Sequence, residues 1–123
     1  MSTKEQQRSA YALKRIHDFG NNGVPEKDAN FIVGTPTMIL ANGIAQTMAF
    51  LLSKGEERTT KVFNILKGWL SQEIKAMQKS GSDHQFLSLF ANLEQNDYLQ
   101  AQQEALALLQ WLKRYARAFE AKP

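Results

Sequence analysis

Cysteine is absent from this chain of 123 residues, which excludes disulfides, thiolate metal sites and a cysteine nucleophile. Histidine occurs only at His17 and His84, in unrelated segments and without the Glu-x-x-His spacing of a helical metal site. Strand-like alternation is missing, and with it any glycine-rich phosphate loop following a strand. No serine or threonine sits in a nucleophile-elbow pattern. The expectation is therefore a protein that is not an enzyme, with no catalytic residue, no metal and no cofactor. Proline (three) and glycine (seven) are scarce, so little interrupts long helices. The longest apolar stretch falls short of the roughly 20 residues that a membrane span needs, so no membrane partner is expected. The first residues are polar and charged, with no secretory signal, and a cytoplasmic location follows by default.

What is present is helical periodicity in four or five blocks. The most apolar is the run Pro36 to Lys54, in which Ala, Ile, Leu, Met and Phe point nearly all the way round a helix. A helix apolar on every side reads as a buried central helix. Thr35 would cap it, Pro36 would occupy its first turn, and Gly55 would end it. Asn42, Gly43 and Gln46 form a polar notch. Gly43 suggests close approach of another helix, while Asn42 and Gln46 could bind a partner's polar edge or tether the stretch Gly20–Gly34. On the tethering role, Asn42→Leu should destabilise the fold. Before this run, the pattern predicts a helix from about Lys4 to Phe19, opened by Ser2 and Glu5 at capping-box spacing. A connection from Gly20 to Gly34 follows, with Phe31, Ile32 and Val33 tucked onto the core.

After it, Glu57 to Lys79 reads as a helix with Val62, Leu66, Trp69, Leu70, Ile74 and Met77 on one stripe. Ser80, Gly81 and Ser82 break the chain, and a shorter helix covers Asp83 to Leu93. A last helix, capped by Asp97, runs to about Ala118 with Leu99, Leu106, Leu109, Leu112, Ala116 and Phe119 inward. The fold class is all-α, a bundle of about five helices with a buried central helix, in one domain spanning residues 1–123.

Net charge is only +3, but it is segregated. Residues 83–104 hold four acids and no Lys or Arg, whereas the flanking regions are basic. Lys4, Arg8, Tyr11 and Arg15 share one stripe of the first helix, a row that suits a phosphate backbone and a stacked base. A solvated face with Tyr11 half-buried explains the row equally well. Lys54 and Lys61 form a second candidate pair, with Arg58 read as ordinary solubilising charge. Lys113, Arg114 and Arg117, alongside Gln110, form a third cluster. Cations there also complement the macrodipole at the helix end. Trp111 reads as core or subunit interface.

The string Asn42-Gly43-Ile44-Ala45-Gln46, followed by Ala49-Phe50-Leu51-Leu52-Ser53-Lys54, resembles the signature helix of the small-subunit family of the Cmr (type III-B) CRISPR RNA-silencing complex. Gln7-Arg8 with Tyr11-Ala12-Leu13 resembles the family's N-terminal helix. Glu104-Ala105-Leu106-Ala107-Leu108-Leu109 running into Trp111-Leu112-Lys113-Arg114 resembles its C-terminal one. Ile44-Ala45 departs from the family's Leu-Gly.

The resemblance implies a non-catalytic antiviral-defence subunit stacked with further copies of itself along a filament. Its partners would be the backbone and large subunits. Basic faces would contact the guide RNA–target RNA duplex or the target strand without reading bases. The acidic stretch Asp83–Glu104 would meet a basic face of the next copy. The alternatives are a helical DNA-binding or regulatory module using a helix-turn-helix, and a scaffold that meets only acidic proteins.

Overall fold

Thr3, not Ser2, opens the first helix. In the computed structural model, which describes residues 2–79 and 81–122, its hydroxyl accepts from the Gln6 N–H while the Gln6 side chain accepts from the Thr3 N–H. Helix α1 covers Lys4–Ile16, and His17–Phe19 tightens into a 3₁₀ turn. Helix α2 covers Glu26–Lys54, α3 Glu57–Glu73, α4 Asp83–Asn92 and α5 Gln95–Ala118. The described residues form no strand, only an isolated bridge between Val24 and Glu120, in which the Val24 N–H donates to the Phe119 carbonyl and the Val24 carbonyl accepts from the Ala121 N–H. The fold is an all-α bundle.

The largest departure from expectation is the start of α2. The segment read as a connection, Gly20–Gly34, is helical from Glu26 onward, and Thr35 is no cap. Pro25 precedes the helix in an extended conformation, Glu26 and Asp28 occupy its electropositive first turn, and Thr35 donates to the Phe31 carbonyl from within. Pro36 lies inside the helix, where it removes one backbone donor. Burial of Ala29, Ile32, Pro36 and Ile39 on one side outweighs that loss.

The break falls instead at Gly43, whose φ of 83° and ψ of 162° divide α2 into two arms. Gly55, at φ 63°, ends α2 as a left-handed cap, as expected. Likewise α3 stops at Glu73 rather than Lys79: Ile74 turns extended and Lys75–Met77 forms a 3₁₀ turn. The apolar stripe nevertheless holds, because Ile74 and Met77 stay buried beyond the helix end. Glu94, not Asp97, precedes α5. Ser82 caps α4 through a reciprocal pair with Gln85, and Ser80 lies outside the described residues.

Helix α5 packs on α1, α2 and α3, and α2 packs on α3, α4 and α5, so these two long helices are central. Trp69, Phe63 and Phe86 are the largest fully buried side chains. On α5 the inward face is Ala101, Ala105, Leu108, Leu109, Leu112 and Ala116; Leu99 and Phe119 face outward, contrary to expectation. Nor is α2 buried all round. Leu40 is 71% exposed and Phe50 39%.

Candidate nucleic-acid interface

Within the α1 stripe, Arg8 turns inward against α5 and Tyr11 against α3. Arg8 donates through Nε (2.6 Å) and Nη2 (2.9 Å) to the two carboxylate oxygens of Glu104, and its side chain is only 16% exposed. Trp69 Nε1 adds a third donor to Glu104 at 2.9 Å. The hydrogen bond from Arg8, reinforced by Trp69 against the cost of burial, holds the Glu104 carboxyl below the usual carboxylate range. Reciprocally, Glu104 raises the Arg8 guanidinium above its ordinary value.

Tyr11 donates to the Ile65 carbonyl at 2.7 Å, and its ring lies 4.9 Å from that of Trp69. Burial pushes its phenol up. Lys4 pairs with Glu73, and Arg15 pairs with Asp18 while lying over the Tyr11 ring. Helical spacing puts these four residues on one stripe. The same spacing cannot say that Glu104, far along the chain, waits opposite the stripe.

At the junction of α2 and α3, Lys54 is exposed with its Nζ 5.7 Å from the Phe50 ring. Lys61 pairs with Glu57 at 2.8 Å and lies over Phe19, and Arg58 pairs with Asp28 at 2.6 Å. Arg58 and Lys61 line a concavity of about 300 Å³, but Asp28, Glu56 and Glu57 line it too, so its carboxylates outnumber its cations.

The third cluster is different. Lys113, Arg114 and Arg117 line a groove of about 570 Å³ with Val33 and Ala118 as its apolar floor. Arg117 is steadied by Glu120 at 2.7 Å and by the Asn30 amide oxygen at 3.0 Å. Lys113 and Arg114 form no ion pair among the described residues. Val33 belongs to the segment read as a connection; as part of α2 it supplies one wall of this groove. Arg114 continues into a neighbouring concavity with Gln110, Glu5 and Trp111. Trp111 is half-buried and donates to Glu5 Oε2 at 3.0 Å.

The α2 notch works in a way the sequence reading missed. Asn42 and Gln46 are exposed, and among the described residues their side chains tether no other segment; the one they were to tether is largely helix. The break at Gly43 instead frees two backbone donors. Ile44 N–H is taken by Gln102 Oε1 at 3.0 Å, and Ala45 N–H by the Tyr98 hydroxyl at 3.2 Å. Both come from α5, one turn apart, so α5 caps the second arm of α2. The Tyr98 oxygen would lie 3.1 Å from any Cβ at position 43, which bears out the close approach expected there. The i, i+4 spacing of Tyr98 and Gln102 was the only signal available.

Both histidines are exposed, and no group of three metal-ligating side chains occurs among the described residues. No helix is long and apolar enough to cross a membrane.

Two comparisons bear on identity. The solved structure of a Cmr5 family protein from Thermus thermophilus matches this fold with a TM-score of 0.75, over 97% of this chain and 98% of that one, at 21% sequence identity. Residues 4–119 match the family model described as CRISPR-associated protein (Cas_Cmr5). Because that match spans nearly the whole sequence, the chain belongs to the Cmr5 family of CRISPR-associated proteins, subunits of the Cmr complex.

Proposed function

We propose that this chain is a non-catalytic small subunit that stacks with further copies of itself along the filament of the Cmr effector and contacts the target RNA backbone through its basic surface. The observation that carries the RNA contact is the α2–α5 groove, where Lys113 and Arg114 have no carboxylate partner among the described residues, beside the anchored Arg117. Free cations over an apolar floor neutralise phosphates without reading base edges, which suits a complex whose sequence recognition is delegated to guide–target pairing. Within this reading the candidate residues divide. Lys113, Arg114, Arg117 and Lys54 are the RNA-contacting set. Arg8 and Tyr11 hold α1 in place, and Lys4, Arg15 and Lys61 contribute only background field from their ion pairs.

Complexes carrying Lys113→Glu with Arg114→Glu should bind target RNA at least tenfold more weakly at physiological salt, with assembly intact. Unchanged RNA affinity would overturn the assignment. Lost assembly with unchanged affinity in the particles that do form would favour the scaffold reading instead. Preference of the isolated chain for one duplex DNA sequence would favour the DNA-binding alternative.

A further inference from the structure

Between Asp28 and Lys54 the chain carries no Asp, Glu, Lys, Arg or His. Much of this segment is nevertheless at the surface. Thr37, Leu40, Ala41, Asn42, Gln46 and Ala49 of α2 are all exposed, Leu40 by 71%. Helix α4, which packs against α2, is likewise free of Asp, Glu, Lys and Arg between Asp83 and Glu94. Thr37 to Ala49 of α2 and the whole of α4 past Asp83 thus expose no lysine, arginine or carboxylate, with His84 the one titratable side chain there, on a protein whose other helices all carry charge outward: Lys4, Glu5 and Lys14 on α1, Glu57 on α3, Arg114 and Arg117 on α5. Depletion of charge is the compositional mark of an interface core.

We infer that this surface is the docking site for a different protein subunit of the complex, one that presents an apolar, charge-poor surface of its own. The inference rests on the reading of the chain as a complex subunit and adds which face is used. The surface's own chemistry excludes other occupants. RNA needs cations to neutralise its phosphates, and the exposed stretch from Thr37 to Ala49 carries no lysine or arginine. A membrane-surface helix needs a strongly charged side opposite its apolar one, whereas the other side of α2 is buried on α3 and α5.

A second copy fits no better. Two neutral faces meeting about a two-fold axis close on themselves and end growth, which a repeating stack cannot tolerate. A head-to-tail copy would set this face against a charged one and bury ions without partners. A charge-poor surface of another subunit avoids that desolvation cost. The exposed amides of Asn42 and Gln46 remain available to its backbone.

The test is reconstitution of the complex from its other subunits with wild-type or variant chain, scored by the fraction incorporated. Ala41→Glu and Ala49→Glu place a charge on exposed helical positions, and Asn42→Lys repeats the test with the opposite sign. Gln72→Glu, exposed on α3, makes the same charge change off the surface. Each of the three surface variants should melt like wild type yet need about tenfold more protein for half-incorporation, a loss of about 1.4 kcal/mol, with Gln72→Glu normal. Normal incorporation of all three would overturn the inference and leave the subunit reading standing. A wild-type dimer in solution that Ala49→Glu dissociates would overturn the choice of partner. Failure of the wild-type chain to incorporate would overturn both readings.

Discussion

At the residue scale, Glu104 joins three elements: its own α5, α1 through Arg8 and α3 through Trp69. Glu104→Gln should lower unfolding free energy in urea by about 2 kcal/mol, since it leaves the largely buried Arg8 guanidinium with only the more exposed Glu5 as a charge partner. The depressed carboxyl also sets a pH dependence. Protonating Glu104 costs more in the folded chain than in the unfolded one, so its contribution is complete above the ordinary carboxylate value of about 4.3 and is lost as pH falls through the lower folded value. Melting temperatures followed from pH 7 to pH 3 should decline below about pH 4.5, and Glu104→Gln should flatten part of that decline. Arg8, shifted upward, stays charged across this range and adds no slope of its own. Arg8 and Glu104 were each visible in the sequence, Arg8 as a candidate RNA ligand and Glu104 as one acid in a segregated stretch. Their pairing was not, because a contact between residues so far apart leaves no local pattern.

At the element scale, helix ends and breaks are where local chemistry and tertiary packing compete. The Thr3–Gln6 box and the Ser2–Glu5 spacing differ by one register step, and the structure uses the former. Thr3→Ala should therefore cost about 1 kcal/mol while Ser2→Ala costs nothing measurable, a contrast that thermal melting resolves. The break in α2 makes a sharper contrast. Gly43→Ala forces a side chain into positive φ against the Tyr98 hydroxyl and should cost roughly 1–3 kcal/mol. Asn42→Leu, one residue away but exposed, should change stability of the isolated chain by less than about 0.5 kcal/mol, reversing the expectation drawn from the sequence. Proline read as a helix start is a sound local inference. It fails at Pro36 because burial on both sides of it keeps the chain helical through the missing hydrogen bond.

At the scale of the whole molecule, the surface divides into a cationic groove at the C-terminal end of α5 and a neutral face on α2 and α4. With three cations in the groove, the RNA affinity of an isolated chain should fall with salt at a log–log slope of about −2 for a single strand, measured by fluorescence anisotropy. Replacing Lys113 and Arg114 should bring that slope close to −1 or flatter. The helical class, the apolar stripe of α3, the glycine end of α2 and the segregation of charge were all determined by the sequence itself, since each depends on residues close together along the chain. What only the tertiary structure decided is which faces are covered. Within the stripe of Lys4, Arg8, Tyr11 and Arg15, Arg8 proved to be held by α5 and Tyr11 by α3, while Lys4 and Arg15 stay partly exposed in ion pairs, and the helix apolar on every side proved bare along part of its length. Periodicity records that a face is charged or apolar. Whether that face meets solvent, another helix or another molecule depends on contacts between segments distant in sequence, which only the folded chain brings together.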